Sequence, residues 1–420
     1  MHKLFMPPGA ATRERLLAFE KAVSLTFPQK KQHRADLPYA VRDLSRLLTS
    51  ERDQKRAYWA SPRLLGAYLH YFLPWNLVRL SWLLPSLPLR FSPGDKILDL
   101  GSGPLTLPLG LWLSRPELHA LPLSVTCSDQ APHPLNVGRD ILRRLLAPAG
   151  AAPMEEPEQA EQGPWQLNLL RAPLEQALRK AGRFNLITAL NVLNELPAPR
   201  QQSLEDRLGE LFSSFNRALE PGGNIFLMEP GTRLGGKLVQ LMRKLALDEG
   251  YVALAPCPHQ AACPFAARHE AHEDDQEDWA DGRPDRRPDR RQSGRQSGPP
   301  GPNGWCHFNH GVDGASPRLL ELSAAADLGK ERLNLSFVLL RKPGGEPVPA
   351  AKADGKTLEV RVISEPIRLP GGPARYVCTA EGLGLLRQAE HIPSGAKITA
   401  VKAGKEKDAK SGAIFLELAR

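Results

Sequence analysis

The stretch "KILDLGSGPLTL", residues 96–107, places an aspartate and two glycines at the end of a short apolar run. The apolar run predicts a β-strand. Gly101 and Gly103 predict a tight turn after it, because glycine lets the backbone approach a ligand without a Cβ in the way. A helix after such a turn presents its N-terminal amides to that ligand. Thr106 excludes the dinucleotide pattern G-x-G-x-x-G. For this stretch alone, a turn that holds no ligand remains the alternative.

On the carboxyl side of this loop, apolar runs alternate with helical patterns. The runs are "LSVTCSDQ" (123–130), "FNLITALNVLNEL" (184–196) and "GGNIFLMEPG" (222–231), and "SLEDRLGELFSSFNRAL" (203–219) is an example of the helical patterns. Such alternation predicts a parallel sheet covered by helices, an α/β fold.

The remaining segments differ from this core in texture. Residues 10–90 carry apolar residues at helical spacing, and the charged, Gly- and Pro-rich stretch from 270 to 304 predicts a disordered insertion. The last sixty residues alternate short β-like runs with turns, which is typical of a small β-barrel or β-rich extension. The predicted division is a helical N-terminal region (1–92), a sheet domain with the first cluster cysteines (93–269), the insertion (270–304), a segment with a third cysteine and the last sheet strand (305–340), and a linker with a β-rich extension (341–420).

Charge is distributed unevenly along the chain, whose formal net charge is +9. Residues 1–90 carry 15 Lys and Arg against 6 Asp and Glu, and residues 341–420 carry 14 against 9. Basic ends around an acidic middle indicate contact with a polyanion such as RNA, although a merely solvated basic surface explains the charge equally well.

The chain shows no signal for export or for membrane insertion. Its first residues lack the apolar core of a signal peptide, and the apolar stretch 64–89 is interrupted by His70, Pro74 and Arg79. We therefore expect a cytoplasmic protein with no membrane partner, and a monomer.

The glycine loop resembles the D-x-G-x-G motif of class I methyltransferases, which bind S-adenosylmethionine. Asp99, Gly101 and Gly103 match the motif, while Leu105 stands where a third glycine is usual. The resemblance implies that these three matching residues contact the cofactor.

Two strand ends add to the predicted site. In the methyltransferase fold, an acid at the position of Asp129 accepts hydrogen bonds from the ribose hydroxyls, although Asp129 alternatively caps the next helix. Asn191 ends the strand that faces the methyl group, whereas Asn194 and Glu195 are expected to cap or orient the following helix. No catalytic base is apparent, but methyl transfer to a ready nucleophile needs mainly positioning.

Four of the five cysteines suggest a metal centre. Cys257 and Cys263 lie in a proline-bracketed loop, Cys306 follows the charged insertion, and Cys378 lies in the β-rich tail. Four thiolates complete a tetrahedral zinc site or hold a [4Fe–4S] cluster, and the five-residue gap between the first two favours the cluster. A zinc site that uses His259 or His307 in place of a thiolate, and four unrelated thiols, are the alternatives.

Together these motifs resemble the methyltransferase-like ribosomal small-subunit family, whose members include the mitochondrial Rsm-type proteins, methyltransferase-like protein seventeen of animals, and bacterial relatives. The resemblance is carried, in order, by "DLGSGP" (99–104), "NVLNEL" (191–196), "EPGTRLG" (229–235), "APCPHQAACP" (255–264) and "WCHF" (305–308). It implies a class I methyltransferase sheet, an S-adenosylmethionine site and binding to small-subunit ribosomal RNA. It also implies a [4Fe–4S] cluster, whose ligands here would be Cys257, Cys263, Cys306 and Cys378.

Three hypotheses follow from the sequence. The first is an S-adenosylmethionine-dependent methyltransferase that acts on ribosomal RNA. The second is an assembly or RNA-binding factor of the small subunit that keeps the fold without turnover. The third is a methyltransferase of small molecules with a zinc staple, which leaves the basic ends unexplained.

Overall fold

The computed structural model describes residues 1–29, 31–49, 58–146, 164–180, 182–196, 202–265, 304–345 and 357–419 of the 420-residue chain. The insertion predicted at 270–304 lies outside these residues, apart from Gly304.

The amino-terminal region forms one short strand and a group of helices. They are β1 (His2–Lys3), α1 (Ala10–Thr26), α2 (Lys31–Thr49), α3 (Pro62–Ala67) and α4 (Leu73–Leu83), with a π-helical turn at Tyr68–Phe72. Helix α3 begins at Ser61, whose hydroxyl accepts a hydrogen bond from the amide of Leu64, with Pro62 in the first turn. The apolar stretch is buried in these helices, and within the described ranges no helix is both long and apolar enough to cross a membrane.

A mixed sheet of eight strands forms the centre of the molecule. Its strands are β2 (Lys96–Leu100), β3 (Leu123–Asp129), β4 (Trp165–Arg171), β5 (Phe184–Leu190), β6 (Leu219–Pro230), β7 (Val252–Ala255), β8 (Phe308–His310) and β9 (Leu333–Arg341). The order is β4-β3-β2-β5-β6-β9-β7, and β8 pairs with β9. Strands β4, β3, β2, β5 and β6 run parallel, while β9 lies antiparallel between β6 and β7. In the class I methyltransferase arrangement, one antiparallel strand lies between the last two strands of an otherwise parallel sheet. Strand β9 takes that place here, between β6 and β7, so the predicted fold class is confirmed.

Helices cover both faces of this sheet. They are α5 (Thr106–Ser114), α6 (Pro132–Leu146), α7 (Leu174–Lys180), α8 (Leu204–Ala218) and α9 (Arg233–Asp248), whereas α10 (Pro317–Ala325) packs against α2 and the π-helical turn. Neighbouring side chains of one strand point to opposite faces. Ile97 accordingly packs with α5, α6 and the amino-terminal helices, whereas Leu98 packs with α7, α8 and α9. The amino-terminal helices are therefore part of one wall of the sheet domain.

The carboxyl-terminal region is a small β-barrel. Its strands are β10 (Thr357–Val362), β11 (Ile367–Leu369), β12 (Gly372–Thr379), β13 (Gly382–Arg387), β14 (Ala396–Lys407) and β15 (Ile414–Leu418). The pairing path runs β14-β10-β12-β13-β15, and β15 pairs again with β14, which closes the barrel. Strand β1 pairs with β14 through His2 and Lys397, so the first residues of the chain join its last domain.

Candidate functional site

The loop after β2 has a backbone conformation that favours glycine. The φ angle is +61° at Gly101 and +52° at Gly103. A Cβ on Gly101 would lie 2.5 Å from Cγ2 of Val192, so a larger residue would displace the loop after β5. At Gly103 a Cβ would meet only the Trp59 ring, at 3.6 Å, so there the positive φ alone selects glycine.

Leu105 occupies the same left-handed region, with φ 59° and ψ 46°, directly before α5. This conformation costs a residue with a Cβ about 1 kcal/mol or more, which explains why glycine is usual at this position. The Leu105 side chain is fully buried. The burial of a leucine side chain contributes about 1.5–3 kcal/mol and offsets that cost.

Asp129, at the end of β3, connects that strand to the glycine loop that follows β2. Its Oδ2 accepts a hydrogen bond from the Gly103 amide (3.0 Å), and its Oδ1 accepts one from the Ala131 amide at the entry to α6 (2.9 Å). Burial raises the pKa of this carboxyl, and the backbone amides lower it. The side chain therefore caps the helix entry, and each oxygen keeps a lone pair for a further donor.

Asp99 lies inside the sheet instead of at its edge. It is 1% exposed and accepts hydrogen bonds from the hydroxyls of Ser102 and Thr188. Burial raises its pKa to about 6, against these two hydrogen bonds. Asp99 thus braces the loop from beneath.

Asn191 follows β5 with φ 58°, and its backbone amide donates a hydrogen bond to the Met228 carbonyl of β6 (2.7 Å). Its Nδ2 lies 3.5 Å from Oδ1 of Asn76, which also accepts a 2.6 Å hydrogen bond from Nη1 of Arg79. The end of β5 therefore meets polar side chains of α4.

Aromatic side chains of the amino-terminal region line the same end of the sheet. The ring centroids of Tyr58 and Trp59 are 4.5 Å apart, and those of Trp59 and Tyr68 are 4.7 Å apart. Burial raises the pKa of Tyr68, and the carboxylates of Glu195 and Asp129 raise it further, which places both acids beside this aromatic wall.

Glu195 is accessible to solvent, yet its pKa is raised to about 7 by the surrounding protein and then by Asp129.

Sequence reasoning did not identify this aromatic wall or the contacts of Asn76 and Arg79. The available signal was the density of aromatic residues at 58–72, which the apolar pattern assigned to a buried core. Which of them reach the strand ends depends on long-range packing.

The four predicted metal ligands come from three separate parts of the fold. Cys257 and Cys263 lie on the loop after β7, Cys306 lies just before β8, and Cys378 lies in barrel strand β12. None of the four forms a disulfide bond. Burial raises the pKa of Cys306 well above its usual value, and the other three cysteines raise it further, which shows that they share one region.

The thiols are neighbours, but they are not drawn together as a preformed centre. Within the described residues, no three His, Cys, Asp or Glu side chains have the arrangement needed to hold a metal ion. Of the two alternative zinc ligands, His259 places its Nε2 3.2 Å from Sγ of Cys378, and His307 directs Nδ1 to the Trp305 carbonyl (3.1 Å).

The strand order of the sheet and the glycine loop after β2 together define a class I methyltransferase-like protein. A model of the family described as mitochondrial small ribosomal subunit Rsm22 matches residues 88–279, somewhat less than half of the chain. This match confirms the resemblance to the methyltransferase-like ribosomal small-subunit family. The matched range contains the glycine loop, Asn191, Cys257 and Cys263, and it ends before the other two cysteines.

Solved methyltransferase structures show distant similarity. Precorrin-6y C5,15-methyltransferase from Geobacter metallireducens is 16% identical, with 43% of this chain and 73% of that chain covered and a TM-score of 0.28. A methyltransferase from Pyrococcus furiosus is 15% identical, with 39% and 68% covered and a TM-score of 0.27. An S-adenosylmethionine-dependent methyltransferase from Clostridium acetobutylicum is 16% identical, with 34% and 46% covered and a TM-score of 0.24. No curated protein matches the chain. The assignment of the fold accordingly relies on the strand order.

Proposed function

We propose that this chain binds S-adenosylmethionine at the carboxyl ends of β2, β3 and β5 and methylates the RNA of the small ribosomal subunit. The observation that carries the proposal is the left-handed glycine loop whose Gly103 amide is bonded to Asp129. Adjacent parallel strands bring their carboxyl ends together, and ligands of open α/β sheets bind at that edge.

The side chains divide the work of positioning. Asp129 has lone pairs left for the ribose hydroxyls, and the loop amides before α5 face the rest of the cofactor. Asn191, held by the Met228 carbonyl and Asn76, lines the methyl-bearing end. Trp59 and Tyr68 enclose the acceptor base and exclude water, since aromatic rings stack on unpaired bases.

When bound, S-adenosylmethionine would supply a methyl group: an acceptor lone pair bonds to the methyl carbon as the bond from that carbon to the sulfonium sulfur breaks, and the sulfur keeps the electron pair and leaves as a neutral thioether. The chain contributes orientation to this displacement. An acceptor that carries a proton must lose it, and Glu195, with a pKa of about 7, takes that proton at neutral pH.

An anionic acceptor fits the charges beside Asn191. Arg79 bonds to Asn76, and its Nε is buried without a partner in the described part of the chain. Lys330 lies close enough to Arg79 that burial and this neighbouring cation lower its pKa to about 8. Two partly desolvated cations that have no carboxylate partner among the described residues suit a phosphate group of RNA. The exposed barrel lysines 402, 405, 407 and 410 add phosphate contacts further out.

The four cysteines are proposed to hold a [4Fe–4S] cluster, with zinc as the alternative. Cys257, Cys263, Cys306 and Cys378 form no disulfide and share one region, and four thiol donors fit either group chemically. Once bound, the group would tie the barrel to the sheet domain and contribute folding free energy.

The deciding experiment uses full-length protein purified without oxygen, methyl-labelled S-adenosylmethionine, and small subunits from a strain that lacks this gene. We expect label in the RNA, and we expect Asn191→Ala to bind subunits but transfer much less label. If the wild-type protein binds both cofactor and subunits yet transfers no label, the chain is instead an assembly factor, the second candidate, which the exposed barrel lysines favour.

A further inference from the structure

Two arginines are buried beside the four cysteines. Arg243 of α9 and Arg361 of β10 are each only 4% exposed. Arg243 belongs to the sheet domain and Arg361 to the barrel.

Arg361 links the barrel to the residue that precedes the first cysteine. It stands directly across from Cys378 in the β10–β12 ladder. Its Nε donates to the carbonyl of Pro256 (2.7 Å), and its Nη1 donates to the carbonyl of Gly395 (2.8 Å). The Arg361 side chain therefore contacts the loop that carries Cys257, and its strand pairs with the strand that carries Cys378.

Arg243 holds the loop between the first two cysteines. Its Nη2 donates to the carbonyls of His259 (3.1 Å) and Ala261 (2.8 Å). Its Nε is buried and has no hydrogen-bond partner in the described ranges. The guanidinium thus fixes the loop while one of its donors stays unused.

Neither arginine forms a salt bridge within the residues that the structure describes. Their hydrogen-bond partners are neutral carbonyls, and a buried cation without a counter-charge costs several kcal/mol. Burial lowers the pKa of Arg361 to about 10. Glu359, an acid that acts on Arg361, is bonded to Lys397 (3.2 Å).

Charge balance distinguishes the possible states of the cysteines. Four thiolates around a divalent ion or a [4Fe–4S]²⁺ core carry a formal charge of minus two, which two guanidinium groups neutralise. Four protonated thiols leave both arginines unbalanced. Three thiolates and a neutral histidine around zinc carry minus one and leave one positive charge over.

We propose that Arg243 and Arg361 are the counter-ions of a dianionic centre ligated by all four cysteine thiolates. They also hold the Cys257–Cys263 loop against Cys378, so that the centre forms where the barrel meets the sheet domain. His259 then donates from Nε2 to the Cys378 thiolate and is not a ligand itself. The inference rests on the four-cysteine centre of the proposed function, and it adds which residues balance its charge.

The test is a cycle of two changes, metal removal and arginine replacement. Full-length wild type, Arg243→Met and Arg361→Met are purified without oxygen, and each is unfolded with urea before and after metal removal by a chelator. Methionine keeps an unbranched apolar stem and removes the charge. We expect both variants to lose stability and to release metal about tenfold faster in the loaded form. In the stripped form we expect them to be at least as stable as wild type, because the unbalanced cation is gone.

Arg375→Met is the matched control. Arg375 is 6% exposed in the same barrel and also bonds to carbonyls, of Ala389 (2.9 Å) and Ser364 (2.7 Å), but its neighbouring charges include Glu365 and Glu390. Its replacement should change stability equally with and without metal, and it should leave metal release unchanged. If the bound group is an iron–sulfur cluster, the Arg361→Met variant should also have a lower reduction potential.

Each outcome has a defined meaning. Equal loss of stability in the loaded and stripped forms of Arg243→Met and Arg361→Met would overturn the counter-ion role. A folded wild-type protein that binds no metal would instead overturn the proposed four-cysteine centre. If the methionine variants do not fold, Arg243→Lys and Arg361→Lys replace them. These variants keep the charge, so metal release close to that of wild type supports the role, and release as fast as in a cysteine-to-serine variant contradicts it.

Discussion

Asp129 accepts a 3.0 Å hydrogen bond from the backbone amide of Gly103, so the end of β3 directly holds the glycine loop that follows β2. The same carboxylate accepts the Ala131 amide and thereby fixes the entry to α6. One side chain therefore sets the relative position of three elements around the proposed cofactor.

Helix α6 lies directly against the glycine loop at Gly138. A Cβ there would lie 2.4 Å from the carbonyl carbon of Pro104, and backbone cannot move aside cheaply. We predict that Gly138→Ala lowers the free energy of unfolding by about 1–3 kcal/mol. Gly209→Ala in α8 meets nothing within 4 Å and should raise it by about 0.5–1 kcal/mol. Urea unfolding of both variants checks this, and a Gly138→Ala variant as stable as wild type would contradict it.

Leu105 and Leu109 are both fully buried, but they differ in backbone conformation. Leu105 is left-handed, whereas Leu109 lies within α5. Either leucine replaced by alanine should cost about 3 kcal/mol in lost packing. The further change from alanine to glycine should recover about 1 kcal/mol at position 105 and lose about 1 kcal/mol at position 109. If urea unfolding shows that the change from alanine to glycine shifts the free energy of unfolding in the same direction at both positions, the left-handed conformation of Leu105 is contradicted.

Glu229 lies under the loop after β5 and is fully buried. It accepts hydrogen bonds from the backbone amides of Val192 (3.2 Å), Leu193 (2.9 Å) and Asn194 (3.3 Å). Burial raises its pKa to about 8 against these amides. The folded state keeps the proton to higher pH than the unfolded state does, so this group's contribution to stability is complete below pH 4.5 and is lost as the pH rises toward 8.

Comparison with a Glu229→Gln variant isolates that contribution. Relative to the variant, wild type should lose up to about 1.4 kcal/mol of unfolding free energy for each pH unit between about 5 and 8. Urea unfolding of both proteins across this range measures the difference. Parallel stability curves would show that Glu229 is ionised throughout.

Arg79 is predicted to contact a phosphate of the acceptor. Arg79→Gln should weaken binding of small-subunit RNA and reduce the slope of log affinity against log salt by about one, with S-adenosylmethionine affinity unchanged. Arg217→Gln, an exposed change on α8, serves as the control and should alter neither quantity. Filter binding over a salt series measures this slope, and an unchanged slope for Arg79→Gln would show that Arg79 does not contact a phosphate of the acceptor.

The parts of this fold that sequence predicted are those with strong local signals. The run at 96–107 shows its strand and loop directly, and β3, β5, β6 and β9 each coincide with a predicted run. Strand β4 (Trp165–Arg171) escaped notice because its half-buried residues do not form a continuous apolar run. Strand β13 (Gly382–Arg387) contains two glycines, which weaken a strand pattern.

The candidate site was harder to predict wherever its chemistry depends on long-range packing. Asp99 matches the motif, but only the structure shows it beneath the loop with Thr188. Arg243 and Arg361 carry no signal, because arginine is mostly exposed and only tertiary structure buries it beside the thiols. The pairing of β1 with β14 joins the two ends of the chain, which no local pattern indicates.

Equilibrium calorimetry on the full-length protein measures whether the loop held by Asp129 binds S-adenosylmethionine. We expect saturable binding at one site per chain. We also expect Asp129→Asn to weaken binding about tenfold or more, or roughly 1.4 kcal/mol, and the exposed change Glu210→Gln on α8 to leave it unaltered. A folded wild-type protein that shows no saturable binding, or an Asp129→Asn variant with unchanged affinity, would contradict binding at this loop.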